Sequence, residues 1–187
     1  MTVSTVDLKL SEDEATLTRL PFGSPEYARC VDFLLEEVAA LDENRLDDWL
    51  AMMHPEVDYR APIRVTRERT KGAGFSSEGY HFFENHDSLT TRVDRLATDY
   101  AWAEDPPSRT RRFLSNFRVF AIEGGDDLRV QANLLVYRER LDETSQQWLV
   151  GQRLDDLRPV DGELTIVRRL ILLDHSILMT PNLGIFL

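Results

Sequence analysis

The chain has 187 residues, 42% of them hydrophobic and 29% charged, and its formal net charge at pH 7 is −11. This composition is typical of one ordinary globular domain and excludes the disordered and fibrous classes. The negative charge excludes general nucleic-acid binding and disfavours anionic membranes, because both need a basic surface. The single cysteine, Cys30, cannot form an internal disulfide. The first residues do not show the positive region and apolar stretch expected of a signal sequence, and no apolar run of about 18 residues occurs. We therefore expect a cytoplasmic protein.

The amino-terminal part predicts an arm followed by two helices. Residues 1–23 carry an acidic run and no sustained periodicity, so we place them outside a single domain that spans residues 24–187. Ser24, followed by proline and glutamate, is a helix-start signal. Apolar residues at helical spacing over residues 46–53 predict a second helix, which Pro55 is expected to end.

A strand, a loop and a third helix are predicted next. Apolar and polar residues alternate over residues 57–66, which indicates a half-buried strand with Pro62 at an edge or bulge. The glycine- and serine-rich stretch ERTKGAGFSSEGY, residues 68–80, is interpreted as a long loop. Asp87 is the predicted cap of a third helix. The apolar face of that helix carries Leu89, Val93 and Leu96.

The rest of the chain is dominated by strand patterns. We predict strands near residues 110–122, 128–141, 146–158 and 163–174. The short polar connections between them favour an antiparallel meander. Helices followed by such a meander predict an α+β domain in which the helices lie on one face of a curved sheet.

Four histidines limit the metal chemistry that this chain could support. His81 and His86, with Glu84 or Asp87, could form an iron site of two histidines and one carboxylate. The same spacing also arises by chance in a loop, and this is the better interpretation. A Rieske cluster needs two cysteines and two histidines, and the chain has one cysteine.

An acid/base pair in a helix-lined pocket is a second enzymatic possibility. The candidate bases are His54, His86 and His175, and the candidate partners are Asp58, Asp99 and Asp174. Two placements count against such a pair. His175 follows Asp174 in an alternating strand, which directs the two side chains to opposite faces. His54 is expected to end a helix, where a cation offsets the dipole.

A cluster of arginines lies at the start of the predicted meander. Arg109 and Arg111 are predicted to share one face of a strand, and Arg112 and Arg118 the other. This division favours separate ion pairs, some internal and some across an interface, over one anion-binding site. Scattered surface ion pairs are the alternative.

The last twelve residues, 176–187, stay largely apolar after the final strand should have ended. A stretch of this kind either folds back over its own sheet or packs in an interface. It is too interrupted to span a membrane. At this point the sequence leaves both positions open.

Four segments resemble motifs of one known family. They are WAEDPPSRTRRFLSN (102–116), RRLILLDHSILMTPNLGIFL (168–187), FENHDSLTTRVDRLATD (83–99) and LDENRLDDWLAMMHPEVDY (41–59). The family is the small (beta) subunit of aromatic-ring-hydroxylating dioxygenases, the Rieske non-haem iron oxygenases, in its biphenyl, cumene and toluene group. The resemblance runs from about residue 26 to residue 187. It implies a cone-shaped fold like that of nuclear transport factor 2.

In that family the beta subunit joins a larger alpha subunit in an α3β3 hexamer, and the alpha subunit holds a [2Fe–2S] Rieske cluster and a mononuclear iron. The resemblance therefore implies a non-catalytic subunit without cofactors of its own. Its expected partners are other beta subunits and an alpha subunit that cis-dihydroxylates aromatic compounds. The alternatives are a self-contained isomerase or dehydratase of the same fold with a His/Asp pair, and a small-molecule binding module.

The two longest matches supply candidates for interface or structural positions. Arg109 and Arg111 lie in the family's S-R-T-R motif and Asn116 in its S-N pair, where we expect strand anchoring and contacts between subunits. Arg112 stands where this group commonly has histidine, and Pro181 before the final asparagine is a second departure. Neighbouring chains are expected to bury the apolar end. The full set of candidates is Trp102, Arg109, Arg111, Arg112, Asn116, Asp174, Leu183 and Phe186.

Overall fold

The first helix begins where the sequence predicts it. In the computed structural model of the chain, α1 spans Pro25–Asp42, and the Ser24 hydroxyl caps it by accepting a hydrogen bond from the Tyr27 amide at 3.3 Å. The structure describes residues 16–66, 74–96, 98, 108–139, 146–178, 180 and 182–187. Within these ranges no helix is long and apolar enough to cross a membrane.

The second helix, α2 (Leu46–Ala51), is shorter than predicted. Met53 and Pro55 belong to strand β2 (Met53–Arg64), so the prediction that Pro55 ends the helix is wrong. Met53 pairs with Ile166 of a neighbouring strand, and this pairing requires an extended backbone. Register shifts on both sides of Pro62 confirm that this proline lies at a bulge.

The stretch predicted as a long loop contains a strand. β3 (Phe75–Glu84) pairs antiparallel with β2, so the loop prediction is wrong for residues 75–80. Glycine and serine have low strand propensity, but pairing with β2 supplies the backbone partners that override it. At Gly79 a Cβ would lie 3.2 Å from the Ile63 Cδ1 atom, so this close packing favours glycine there.

The third helix is confirmed, with a different cap. α3 spans His86–Leu96. The Asn85 side chain accepts a hydrogen bond from the Ser88 amide at 3.0 Å, and the Ser88 hydroxyl accepts one from the Asn85 amide at 3.0 Å. Such reciprocal bonds resemble a capping box. The predicted cap, Asp87, lies instead in the first turn, where its negative charge is favourable.

The four strands predicted in the second half are confirmed. They are β4 (Arg109–Ile122), β5 (Leu128–Glu139), β6 (Gln147–Val160) and β7 (Glu163–Leu173). They form an antiparallel meander, and β2 lies parallel to β7, with β3 beyond it. At the other edge a short strand, β1 (Leu17–Arg19), pairs with β4. Residues 17–19 of the predicted arm are thus paired with the sheet of their own chain.

The two faces of the sheet differ. The main core lies on the face that the helices cover, which we call the inner face, and α1, α2 and α3 contribute Leu34, Trp49 and Leu89 to it. Alternate side chains point to the opposite, outer face. A small second cluster lies there, formed by Phe75, Leu154, Leu170 and Leu172.

A bulge in β4 reverses which side chains face the core. The pairing with β5 shifts at Asn116, whose φ is 56°. Arg112, before the bulge, pairs with Val136, whose side chain is in the core, whereas Arg118, after it, pairs with Gln131 on the outer face. One extra residue changes the alternation of side chains. The prediction that Arg112 and Arg118 share a face is therefore wrong.

The bulge leads to a testable prediction for Asn116. Its φ lies in the left-handed region, which asparagine and glycine adopt more readily than β-branched residues. We expect Asn116→Val to lower the free energy of unfolding by about 1–2 kcal/mol. Asn116→Gly should change it little. Urea unfolding measures both variants, and an equal loss in the two would show that the side chain, not the backbone conformation, matters.

Candidate functional site

Four arginines from successive strands are buried on the inner face. Arg112, Arg138, Arg153 and Arg169 come from β4, β5, β6 and β7, and none is more than 7% exposed. Burying a charge is costly unless partners surround it. The partners of these arginines lie in α1, within the sheet and at the end of the chain.

Two of these arginines alternate with two carboxylates in a closed ring, the buried ion cluster of Glu37, Arg153, Asp155 and Arg169. Asp155 accepts hydrogen bonds from Arg153 Nε at 2.8 Å and from Arg169 Nε at 2.6 Å. Glu37 Oε1 accepts from Arg169 Nη1 at 2.7 Å and from the Trp49 indole at 2.6 Å. Glu37 Oε2 lies 2.9 Å from Arg153 Nη2, in an ion pair too oblique for a hydrogen bond. The four formal charges cancel.

The buried ion cluster stays ionised at neutral pH. Burial by itself raises the pKa of Glu37, but the charges of Arg153 and Arg169 outweigh burial and lower that pKa to about 2. Burial also lowers the pKa of Arg169, yet Asp155 and Glu37 raise it overall. A carboxylate with so low a pKa is a poor proton acceptor at neutral pH. The cluster is therefore suited to joining α1, β6 and β7 rather than to moving protons.

The end of the chain folds back into the same interior. We call residues 174–187 the tail. Ile185, Phe186 and Leu187 are 8%, 2% and 0% exposed and belong to the main core. The Phe186 ring lies against the Trp49 indole, with the ring centroids 4.3 Å apart, and the Arg92 guanidinium lies 4.7 Å from the Phe186 centroid. The end of the tail therefore occupies space between the helices and the sheet.

Arginines also bind the backbone of the tail. Four tail carbonyl oxygens accept hydrogen bonds from four different guanidinium groups. The pairs are Arg138 with Asn182 at 2.8 Å, Arg92 with Leu183 at 3.3 Å, Arg112 with Phe186 at 2.7 Å and Arg169 with Leu187 at 3.2 Å. The Tyr59 hydroxyl also donates to the Leu187 carbonyl at 2.8 Å. Buried carbonyl groups need donors, and these side chains supply them to residues 182–187, which lie outside any helix or strand.

Arg112 has a second role at the edge of the sheet. The Asp42 carboxylate accepts a hydrogen bond from the Arg112 amide at 2.9 Å and pairs with its guanidinium. Burial lowers the pKa of Arg112, and Asp42 opposes that shift. β1 pairs with residues 120–122 of β4 only, so it leaves the Arg112 amide on this edge of the sheet without a strand partner. The Asp42 carboxylate accepts the hydrogen bond of that amide instead. Arg112 therefore joins α1, β4 and the tail.

The structure separates the candidates that the sequence grouped together. Leu183 and Phe186 lie in the tail, where Arg112 binds the Phe186 carbonyl and Arg92 binds the Leu183 carbonyl. Arg109 and Arg111 have side chains 65% and 64% exposed, and their ion pairs reach Glu139 at 3.3 Å and Asp42 at 3.9 Å.

The other three candidates lie elsewhere. Asn116 forms the bulge in β4. Asp174 follows β7, and its amide donates a hydrogen bond to the Val150 carbonyl at 2.9 Å. Trp102 lies outside the described residues.

The expectation that neighbouring chains bury the apolar end is wrong for its last three residues. Ile185, Phe186 and Leu187 are buried by their own chain. The physical reason is the supply of inward-facing arginines and Tyr59, which satisfy the tail carbonyl groups without a partner chain.

The histidines lie in different parts of the fold. His54 is in β2, not at a helix end as predicted, and its Nδ1 accepts a hydrogen bond from the amide two residues on at 3.1 Å. His175 follows β7 rather than lying in it, and its Nε2 accepts from the Val150 amide at 3.2 Å. His86 begins α3, and His81 lies in β3, where burial lowers its pKa. In the part of the chain that the structure describes, no group of three His, Cys, Asp or Glu side chains could hold a metal ion.

Sequence reasoning missed the buried ion cluster, although the sequence contains a signal for it. Glu37 lies on the apolar stripe of α1, between Leu34 and Leu41. Arg153 and Asp155 occupy inward positions of β6, where alternation predicts apolar residues. Charged residues at positions that the pattern assigns to the core are candidates for buried pairs.

Helices on one face of a curved, mostly antiparallel sheet define the class of protein: the chain has the cone-shaped fold of nuclear transport factor 2 and its cystatin-like relatives. Residues 36–180 match the ring hydroxylating beta subunit family. The chain belongs to this family and is a beta subunit of an aromatic-ring-hydroxylating dioxygenase. The resemblance noted in the sequence is thus confirmed.

Relatives of known identity agree with this assignment. The 3-phenylpropionate/cinnamic acid dioxygenase subunit beta of Photorhabdus laumondii subsp. laumondii is 37% identical over 168 residues, 87% of this chain and 92% of that protein. A chain of naphthalene 1,2-dioxygenase with indole bound in the active site aligns with a TM-score of 0.77 and 23% identity, covering 89% of each chain. The beta subunit of benzoate 1,2-dioxygenase from Burkholderia mallei aligns with a TM-score of 0.57 and 20% identity, covering 79% of this chain and 89% of that chain.

Proposed function

We propose that this chain is a non-catalytic subunit of the terminal oxygenase and supports an alpha subunit that cis-dihydroxylates aromatic compounds. The observation that carries the proposal is that the last residues of the chain pack inside the cone. A self-contained isomerase or dehydratase needs a pocket between helices and sheet. Here the Phe186 and Leu187 side chains lie in that space, beside the ion-paired Glu37 carboxylate.

The redox centres of the oxygenase are proposed to reside in the alpha subunit. A Rieske cluster requires two cysteines, and this chain has one, Cys30, which is buried. Burial raises the pKa of the Cys30 thiol to about 11, so it is protonated at neutral pH. His81 lies in β3 and His86 begins α3, and neither belongs to a group of three His, Cys, Asp or Glu side chains that could hold a metal ion among the described residues. These features support the proposal that the alpha subunit contains the metal centres and that this chain binds the alpha subunit.

We further propose that the subunits assemble as an α3β3 hexamer. Arg109 and Arg111, whose side chains are largely exposed, are the candidates for contacts between subunits. The remaining candidates in the described residues act within the chain: Arg112, Leu183 and Phe186 hold the tail, Asn116 forms the bulge, and Asp174 joins the tail to β6.

Alanine at His54, His86 and His175 tests the proposal against an acid/base enzyme. The triple variant should assemble with its alpha subunit and keep aromatic turnover within about twofold, whereas loss of a general base would cost about 100-fold or more. Size-exclusion chromatography measures assembly, and product formation measures turnover.

The wild-type chain without an alpha subunit is assayed alongside, and it should form no product. Normal assembly with lost turnover in the triple variant would contradict the proposal. Turnover by the isolated chain would contradict it equally.

A further inference from the structure

An exposed aromatic patch lies on the outer face of the sheet. Phe113, Leu135 and Val150 stand directly opposite one another in β4, β5 and β6, and Tyr137 and Trp148 form the next row. We call these five side chains the outer aromatic patch. Phe113, Trp148 and Val150 are 51%, 42% and 38% exposed, and the Tyr137 and Trp148 ring centroids are 5.1 Å apart. Exposed apolar side chains gathered in this way mark a contact surface, and aromatic residues dominate such contacts.

Arginines extend the same face. Arg111 stands opposite Tyr137 in the register of β4 and β5, and Arg109 lies two residues before it on the same side. Arg118 joins this face because of the bulge at Asn116. These arginines place positive charge beside the outer aromatic patch, although the net charge of the chain is −11. Such a positive border is complementary to an acidic surface.

The chain itself offers an acidic surface of this kind. Between α1 and α2, the carboxylates of Glu36, Glu43 and Asp48 surround the single guanidinium of Arg45, and the three acidic side chains are 60–64% exposed. Two copies that met through identical patches would bring their arginines together. A contact between different surfaces avoids that repulsion and closes into a ring when the rotation permits.

We propose that the outer aromatic patch is the contact surface for a second copy of this chain, which meets it through a different, acidic surface in a cyclic assembly. The inference rests on the proposed function, in which the chain assembles into an α3β3 hexamer. The inference adds that the outer aromatic patch forms one side of a contact between two copies of this chain, and that the contact joins two different surfaces in a head-to-tail arrangement. Exclusion of water by the aromatic side chains stabilises the contact, and Arg109 and Arg111 align it.

Glutamate in the patch tests the proposal on the purified full-length chain. Phe113→Glu and Val150→Glu should each convert the wild-type oligomer to monomer, with association weakened at least about tenfold by an unpaired carboxylate in the contact. Arg111→Glu, which leaves the apolar surface intact, should also weaken association and reduce its dependence on salt. Sedimentation velocity at several concentrations measures all three. Phe22→Glu is the matched control, because Phe22 is 89% exposed outside the patch and should not affect assembly.

The outcomes separate this inference from the proposed function. Folded patch variants that keep the wild-type oligomer would overturn the inference, as would a wild-type chain that is monomeric on its own. If the patch variants instead lose only the alpha subunit, the surface belongs to that partner, and the proposed function stands while the inference fails. A wild-type chain that binds neither itself nor an alpha subunit would overturn the proposed function as well.

Discussion

Glu37→Gln should lower the free energy of unfolding by about 3 kcal/mol at pH 7, because Arg153 and Arg169 would keep their buried charges with one carboxylate fewer. Urea unfolding of the purified chain measures the loss. Glu36→Gln is the matched control: it lies next to Glu37 in α1, but its carboxylate is 62% exposed and pairs with Arg45 at the surface. We expect the control to change stability little, since exposed ion pairs contribute little. Equal losses in the two variants would contradict the role of the buried ion cluster.

The same substitution should change how stability depends on pH. The pKa of Glu37 is about 2 in the folded chain and 4.5 as its ordinary value. A folded pKa below the unfolded one means that the stabilisation is complete above about pH 4.5 and is lost as the pH falls through 4.5 towards 2. This difference between the folded and unfolded pKa of Glu37 corresponds to about 3 kcal/mol of folding free energy. The gap in stability between wild type and Glu37→Gln should therefore close over this range, and a constant gap would contradict an ionised Glu37.

Phe186→Ala should lower the free energy of unfolding by about 3–5 kcal/mol, because it leaves a cavity between the Trp49 indole and the Arg92 guanidinium. Thermal and urea unfolding of the isolated chain measure the loss. Phe22→Ala is the control of the same chemistry, since Phe22 is 89% exposed and its removal leaves no cavity.

Assembly distinguishes the two possible positions of the tail. If neighbouring chains buried Phe186, Phe186→Ala would reduce assembly and leave the stability of the isolated chain unchanged. Deleting residues 185–187 should be more destabilising than Phe186→Ala, because Arg112 and Arg169 would also lose their carbonyl acceptors. A deletion variant as stable as wild type would contradict burial of the tail by its own chain.

Features that depend on nearby residues could be predicted from the sequence. The start of α1 at Ser24 follows from a cap, a proline and a periodic apolar face within a few turns. The four strands of the meander follow from alternation between polar turns. The four matching motifs are sufficient by themselves to indicate the family. Each of these signals lies within one segment, so none of them depends on contacts between distant residues.

Only the tertiary structure decided where the charges and the tail lie. β3 forms from a stretch of loop-like composition because β2 supplies its backbone partners. The bulge at Asn116 directs Arg118 away from the core, while Arg112 faces inward and binds Phe186. Glu37 and Arg169 are 132 residues apart in sequence yet 2.7 Å apart in the fold. Strand pairing, bulges and buried ion pairs depend on residues that come into contact only when the chain folds. Local sequence patterns do not show which distant residues will be in contact.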